Sequence, residues 1–462
     1  MEDKNHQVAN QVEAELLSTI GQKYKNEKIW IGVLTLISLF GVGAWIYQLK
    51  QGLGVTGMRD YVSWGLYIAL LFFFVGISLV GALISSVLRF TGTKWRYPLI
   101  RIAEAVTLSA ILFAGVMPVL DMGHPERLYF LVTHGRIQSP ILWDVLAIAT
   151  YFTGSLIFFY LPLVPDLALM RDKLTGISKF RVWLNKFMAI NWTGTPRQHK
   201  LLKRGMAIIS IVVLPCAISV HTISAWLIAL TMRTGWSTSL MGPYFVFGAL
   251  MAGAAMIILV MANIRYGYHL QHYIGHKHFN YLGMLLLGLT AFYLYLNINK
   301  YGVPAFVGEK AEVEYLQDLM FGHFAFAFWF VIIAGLIIPI IILSIGKLRN
   351  QIRWVVIAAI LVMGGAIINR YLIVIPNMLH PLVPIQHAIP GYATYSPTWV
   401  EWAIGAAGFS GLTLLIILLF KAFPVITIWE TMEGVEHDGQ EVIGLEYMDN
   451  PKLAPRYENY EG

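Results

Sequence analysis

The chain has 462 residues, of which 57% are hydrophobic and only 13% charged, with a mean hydropathy of +0.64. Soluble domains carry about 25% charged residues, so a soluble enzyme is excluded and an all-α, multi-pass membrane protein is implied. The net charge of +7 follows the crowding of Lys and Arg into the loops of one face and signals no nucleic-acid partner.

Runs of about 20 apolar residues are long enough to cross a bilayer. Ten are expected, near residues 29–47, 62–87, 98–120, 145–165, 206–230, 244–263, 281–298, 323–345, 354–375 and 400–420. Summing Lys and Arg over alternate connections puts 25 of the 33 on the side that holds both termini, which makes that side cytoplasmic. The first 28 residues are polar and of mixed charge, with no apolar signal-peptide core, so the first span itself is expected to direct insertion. A lone cysteine, Cys216, lies in an apolar run and reads as a small buried hydrophobe. One cysteine allows no intrachain disulfide and cannot hold an iron–sulfur cluster, which needs about four ligands.

Span two opens with Tyr61, Trp64 and Tyr67, placed as an aromatic belt at the outer interface, and carries a packing stripe of Gly76, Ser78, Gly81, Ser85 and Ser86. Span three carries Glu104 at membrane depth, either paired with Arg101 one turn earlier or serving a proton path. Between spans three and four lies a polar insert, DMGHPERLYFLVTHGRIQSPILWDV at 121–145. It holds Asp121, His124, Arg127, His134, Arg136 and Asp144, and His124-Pro125-Glu126-Arg127 reads as a short helix start.

Asp121 ends span three and Asp144 begins span four, so both carboxylates are expected at one outer depth. Two acids held there suit the acceptance of two protons from a quinol, with His124 bonding the second ring oxygen and Trp64, Tyr67 and Arg127 as further contacts. The bland alternative makes Asp121 a helix stop and Asp144 an N-cap.

Span four is expected to end at Asp166, before a basic loop to Arg204 that contains an amphipathic helix on the inner leaflet. Span five holds His221, either a functional group or a buried histidine satisfied by Ser219 or Thr222. An offset of 177 residues superimposes Gly65 on Gly242, Tyr67 on Tyr244 and Gly76 on Gly253, which makes spans 2–5 and 6–9 parallel four-helix repeats. Arg370 in span nine then stands where His221 stands in span five. His269, His272 and His276 share a helix face, but no Cys, Asp or Glu joins them, and metal is not expected.

The resulting division is a cytoplasmic segment 1–28, span one at 29–48, a first bundle 59–231, a second bundle 235–376, span ten at 396–421 and an acidic cytoplasmic tail 422–462. The tail is expected to order only on a partner.

The stretches WGLYIALLFFFVGISLVGALI at 64–84, RIAEAVTLSAILFAGVMPVLDMGHPERLYF at 101–130, SPILWDV at 139–145, SVHTIS at 219–224, GPYFVFGALMAG at 242–253, RYLIVIP at 370–376 and YSPTWVEW at 395–402 carry a resemblance. The chain resembles the NrfD-like (polysulfide reductase PsrC-like) membrane subunits, most of all the ten-span members typified by the ActC subunit of alternative complex III, with the Qrc and Dsr complex subunits as near relatives. That resemblance implies a cofactor-free subunit of the bacterial inner membrane that oxidises menaquinol or another quinol in the first bundle near the outer face. It implies an iron–sulfur partner docked outside, further membrane subunits including a second NrfD-like one, and bound lipid.

In ActC-like proteins the position matching Asp121 is commonly histidine, and an arginine stands where this chain has His124. The aspartate matching Asp144 is retained. A proton path proposed for the family would here use Glu104, Asp166, His221 and Arg370. The alternatives are a quinone-reducing subunit or simple anchor of a molybdopterin or polysulfide reductase-type complex, or a secondary transporter, for which paired broken helices are missing from the pattern.

Overall fold

The computed structural model describes residues 2–20, 26–91, 94–174, 178–381 and 394–438. In lipid every backbone N–H and C=O must be satisfied within the segment, and an apolar run satisfies that only as a helix. The described residues accordingly form helices α1 (Glu2–Ser18), α2 (Glu27–Gln51), α3 (Leu66–Phe90), α4 (Tyr97–Asp121), α5 (Phe130–Thr133), α6 (Pro140–Tyr160), α7 (Leu163–Lys173), α8 (Lys179–Met188) and α9 (Pro196–Ala229). They continue with α10 (Met241–Gly267), α11 (His276–Val307), α12 (Lys310–Phe321), α13 (Ala325–Trp329), a π-helical stretch Phe330–Ile337, α14 (Ile338–Ser344), α15 (Gly346–Arg349), α16 (Ile352–Leu379), α17 (Trp399–Ala422) and α18 (Ile428–Asp438). Ten of these segments are long and apolar enough to cross a membrane: α2, α3, α4, α6, α9, α10, α11, α13 through α14, α16 and α17.

Helices α3, α4, α6 and α9 pack in a ring, each on the next, with α9 returning to α3. Helices α10, α11, α14 and α16 form a second ring in the same order, and α3 joins the two by packing on α10 and α16. The small residues expected to line α3 do serve packing. A Cβ on Gly81 would lie 2.1 Å from the Ala103 carbonyl oxygen, so only glycine lets α4 approach so closely. Helix α3 is the centre of the molecule, with 94% of its apolar window buried against 11% for α2, which pairs with α17 at the edge.

In the first bundle and the tail, the structure differs from the sequence reading at four places. Span four begins at Pro140 rather than near 145, because Pro at the first position starts the helix early, and it ends at Tyr160. Asp144 therefore sits inside α6, and Asp166 lies on the separate helix α7. Span five begins ten residues before the expected 206, at Pro196, where Thr195 and Gln198 form a capping box with Gln198 N donating to Thr195 Oγ1 at 3.3 Å. Within the insert, a 3₁₀ turn (Pro125–Arg127) and α5 replace one continuous short helix.

The fourth difference is the tail. Its first part forms α18, packed on α1 and α7, rather than staying unordered without a partner. Residues 439–462 of that tail, and most of the expected Pro- and His-rich outer segment at 382–393, lie outside the described residues. Helices α1 and α18 mark one end of the bundle, the terminal face, and the 121–140 insert marks the other, the insert face.

Candidate functional site

At the insert face, α4 and α6 run antiparallel, and a Cβ on Gly115 would lie 3.8 Å from Ile148 Cγ2. Asp121 is six residues beyond that contact and Asp144 four, so at 1.5 Å per residue the two carboxylates lie within about 3 Å in depth. Asp144 is buried at 4% exposure and accepts a hydrogen bond from Ser224 Oγ of α9 at 2.5 Å. It is the fifth residue of α6 rather than its N-cap, a position held by Ser139. Asp121 is half-buried, and its Oδ1 is buried with no hydrogen-bond partner among the described residues.

The groups around Asp121 come from helices the sequence reading treated as flanks. Gln48, at the end of α2, donates from Nε2 to the Leu120 carbonyl at 2.8 Å and accepts at Oε1 from the Tyr67 hydroxyl at 2.7 Å. Tyr67 is thus fully buried in the site rather than part of an interfacial belt. Trp64 is partly buried against Trp236, their ring centroids 5.8 Å apart.

Glu401 of α17 is fully buried and accepts from the Tyr395 hydroxyl at 2.5 Å, from Gly57 N at 2.6 Å and from Thr398 N at 3.0 Å. Tyr395 in turn accepts from Leu66 N, the first residue of α3, at 2.7 Å. Burial and the Glu401 charge push the Tyr395 phenol above its ordinary range. Gln48, Ser224, Tyr395 and Glu401 were missed from the sequence. Only Glu401 left a local signal there, the T-x-x-E pattern of a helix start.

His124 and Arg127 stand apart from this cluster. Both are exposed, and His124 Nδ1 lies 2.8 Å from Glu126 Oε1 at the surface. Among the described residues, His124 bonds to Glu126 and to neither aspartate.

Deeper in the first ring, His221 lies three residues from Ser224 on α9, on the same face. Its Nδ1 is 2.8 Å from the Ala217 carbonyl and its Nε2 is 3.0 Å from the Val75 carbonyl. Both ring nitrogens face backbone carbonyls rather than Ser219 or Thr222, and a neutral imidazole donates to one of the two at a time. On the far side of α3, Arg370 donates to the Phe245 carbonyl at 3.4 Å and lies over the Phe245 ring, while a Cβ on Gly76 would sit 3.8 Å from Arg370 Nη2. His221 and Arg370 therefore both reach the central helix, at residues 75 and 76.

The acids of the terminal face are held quite differently. Arg101 donates to Asp166 at 3.0 Å with both side chains fully buried, so it does not pair with Glu104. Glu104 accepts instead from Arg89 at 3.2 Å, and Arg89 also binds Glu430 of α18 at 2.5 Å. Asp166 further accepts from the backbone of α18, from Ile428 N at 3.3 Å and Trp429 N at 3.0 Å. Burial pushes the Asp166 carboxyl up to about 6, while Arg101 and those two N–H groups pull the other way. Two cavities, of about 500 and 490 Å³, lie near Asp172 and Trp192 and between α2, α10 and α17, away from the insert-face acids.

Residues 54–381 match a family model described as polysulphide reductase, NrfD. Among similar proteins, a candidate dimethyl sulfoxide reductase membrane subunit of Halobacterium salinarum is 28% identical, over 86% of this chain and 91% of that protein. An Hdr-like menaquinol oxidoreductase integral membrane subunit of Archaeoglobus fulgidus is 23% identical over 87% of this chain and 95% of its own. A menaquinone reductase integral membrane subunit of Nitratidesulfovibrio vulgaris is 26% identical over 92% of this chain and 97% of its own.

Proposed function

The chain belongs to the polysulphide reductase NrfD family, and from that premise we propose that it is the quinone-reactive membrane subunit of a multisubunit respiratory complex, oxidising menaquinol at the insert face. The names of relatives from menaquinol and menaquinone complexes support the substrate. The observation that carries the site is Asp121 Oδ1, a buried carboxylate oxygen with no hydrogen-bond partner among the described residues, at nearly the depth of a second buried acid, Asp144. An unfilled acceptor in a low-dielectric setting is costly unless a donor arrives, and a quinol hydroxyl is such a donor.

Oxidation of one quinol yields a quinone, two protons and two electrons. We assign Asp121 and Asp144 as the acceptors of the two protons, with Ser224 orienting Asp144. The rings of Trp64 and Tyr67 form the wall against which the substrate lies. The electrons leave to a partner that holds an iron–sulfur cluster, since a chain with one cysteine has too few thiolates to build one.

The bias of Lys and Arg toward the terminal face supports an orientation with both termini in the cytoplasm of a bacterial inner membrane, and the insert outside. Of the proton-path candidates, Glu104 and Asp166 are engaged by arginines and by α18, which supports a role as staples. His221 and Arg370, both reaching α3, are the pair through which a transmembrane proton route would pass.

The test is quinol-driven reduction of the co-purifying electron-accepting partner, comparing the native complex with Asp144→Asn and Asp121→Asn. A loss of about a hundredfold in an intact complex is expected. Native rates in both variants would reduce the acids to helix-end residues and the chain to an anchor.

A further inference from the structure

The insert-face cluster holds a hydrogen-bond donor that is spent away from the acid beside it. The Tyr67 phenol lies within electrostatic reach of both Asp121 and Glu401, yet its hydrogen goes to the neutral amide oxygen of Gln48. A phenol donates more strongly to a carboxylate than to an amide, so the pairing needs an enforcing cause.

The geometry supplies it. Gln48 is 1% exposed and anchored at its other end by donation to the Leu120 carbonyl, the residue preceding Asp121. Its amide is thereby fixed with Oε1 facing Tyr67. The first turn of α3 is fixed as well, because Leu66 N is held by Tyr395, which is held by the fully buried Glu401. A Cβ on Gly65 would come within 2.6 Å of the Tyr395 hydroxyl and 3.0 Å of Glu401 Oε1, so the chain at that point fits no side chain.

We propose that Gln48 is a positioning residue of the quinol site: by taking the Tyr67 hydroxyl it leaves Asp121 Oδ1 open to receive the substrate's hydrogen. Glu401 and Tyr395 set the frame in which that choice is made. Spans one and ten, peripheral by order along the chain, are on this account structural parts of the site. The inference rests on the proposed quinol chemistry and deepens it.

Gln48→Met keeps the length of the side chain and removes both hydrogen-bonding ends. Glu401 already accepts from Tyr395, Gly57 N and Thr398 N, so the freed phenol turns to the open Asp121 oxygen and has to be displaced by each incoming quinol. Turnover in the intact complex is expected to fall about tenfold, the effect of a competing hydrogen bond to a charged group. Adding Tyr67→Phe to that variant removes the competitor, and turnover is expected to recover to within about threefold of native. A merely structural role for Gln48 predicts no such rescue, so a double variant as slow as Gln48→Met, or slower, overturns the proposal.

Gln48→Glu covers the case in which the methionine variant does not assemble. It keeps an acceptor for the phenol, so adding Tyr67→Phe should bring no gain, and a gain there also overturns the proposal. Asp121→Asn in the same assay separates the two levels of inference. If it turns over at the native rate, the quinol site is not here. If it is slow while the rescue fails, the site stands and Gln48 has no part in keeping Asp121 open.

Discussion

Each end of the first ring holds two carboxylates in an apolar setting, and they differ in what they bond. At the terminal face, Glu104 and Asp166 are tied to Arg89 and Arg101, and Asp166 takes two further backbone N–H groups from α18. At the insert face, Asp144 has one hydroxyl and Asp121 has an empty, buried oxygen. The acids of the terminal face are paired with arginines, although Glu104 Oε2 is also buried without a hydrogen-bond partner among the described residues, whereas Asp121 and Asp144 form no ion pair among those residues. That contrast, arginine pairing at one end and none at the other, is the basis on which we propose fold maintenance for the first and chemistry for the second.

The largest expected effect falls on the arginine-paired end. Arg101→Met leaves Asp166 as an uncompensated buried acid and should cost about 3–5 kcal/mol. Thermal unfolding of the purified complex would show it, together with loss of protection of α18 against proteolysis; an unchanged midpoint would mean the pair is not structural. Next come Asp144→Asn and Asp121→Asn, at about a hundredfold in turnover with little change in unfolding temperature, the mirror image of Arg101→Met. A variant at either end that moved both quantities alike would blur the division.

Ser224→Ala removes the one bond that orients Asp144 and is expected to slow turnover about fivefold, the worth of a single hydrogen bond. A loss as large as that of Asp144→Asn would make Ser224 a full partner in the chemistry. The smallest effect is expected from His124→Ala. Its side chain is 64% exposed and bonded only to Glu126, so turnover should stay within about twofold. A strong loss would bring His124 back as a ligand of the quinone ring that moves inward on binding.

The division of labour also indicates where proton coupling would show. Glu104→Gln is expected to loosen α18 without changing quinol turnover, because Glu104 serves Arg89. If Glu104→Gln and His221→Leu both leave membrane-potential-linked turnover unchanged, the proton route loses its support.

The ten spans were legible in the amino-acid sequence, and so was the placing of Asp121 and Asp144 near the same end of α4 and α6. Each of these is a local sum. Hydropathy over about 20 residues decides whether a helix crosses lipid. The repeat was legible for the same reason, since Tyr67 and Tyr244 open equivalent helices.

The hydrogen-bond partners were not legible. Arg101 chose Asp166, 65 residues away, over Glu104 three residues away, because the side chain runs toward α7 and not along its own helix. Gln48 meets Tyr67 and Leu120, Ser224 meets Asp144 and Tyr395 meets Leu66 N across separations of 19 to 329 residues. Such partners must come within about 3.5 Å and in the right direction. Apolar periodicity fixes which face of a helix is buried but not the rotation and depth that bring two buried polar atoms together. The sequence alone thus determined a ten-span membrane protein with two acids near one face, and the packing of α2, α3, α4 and α17 decided which oxygen stays free.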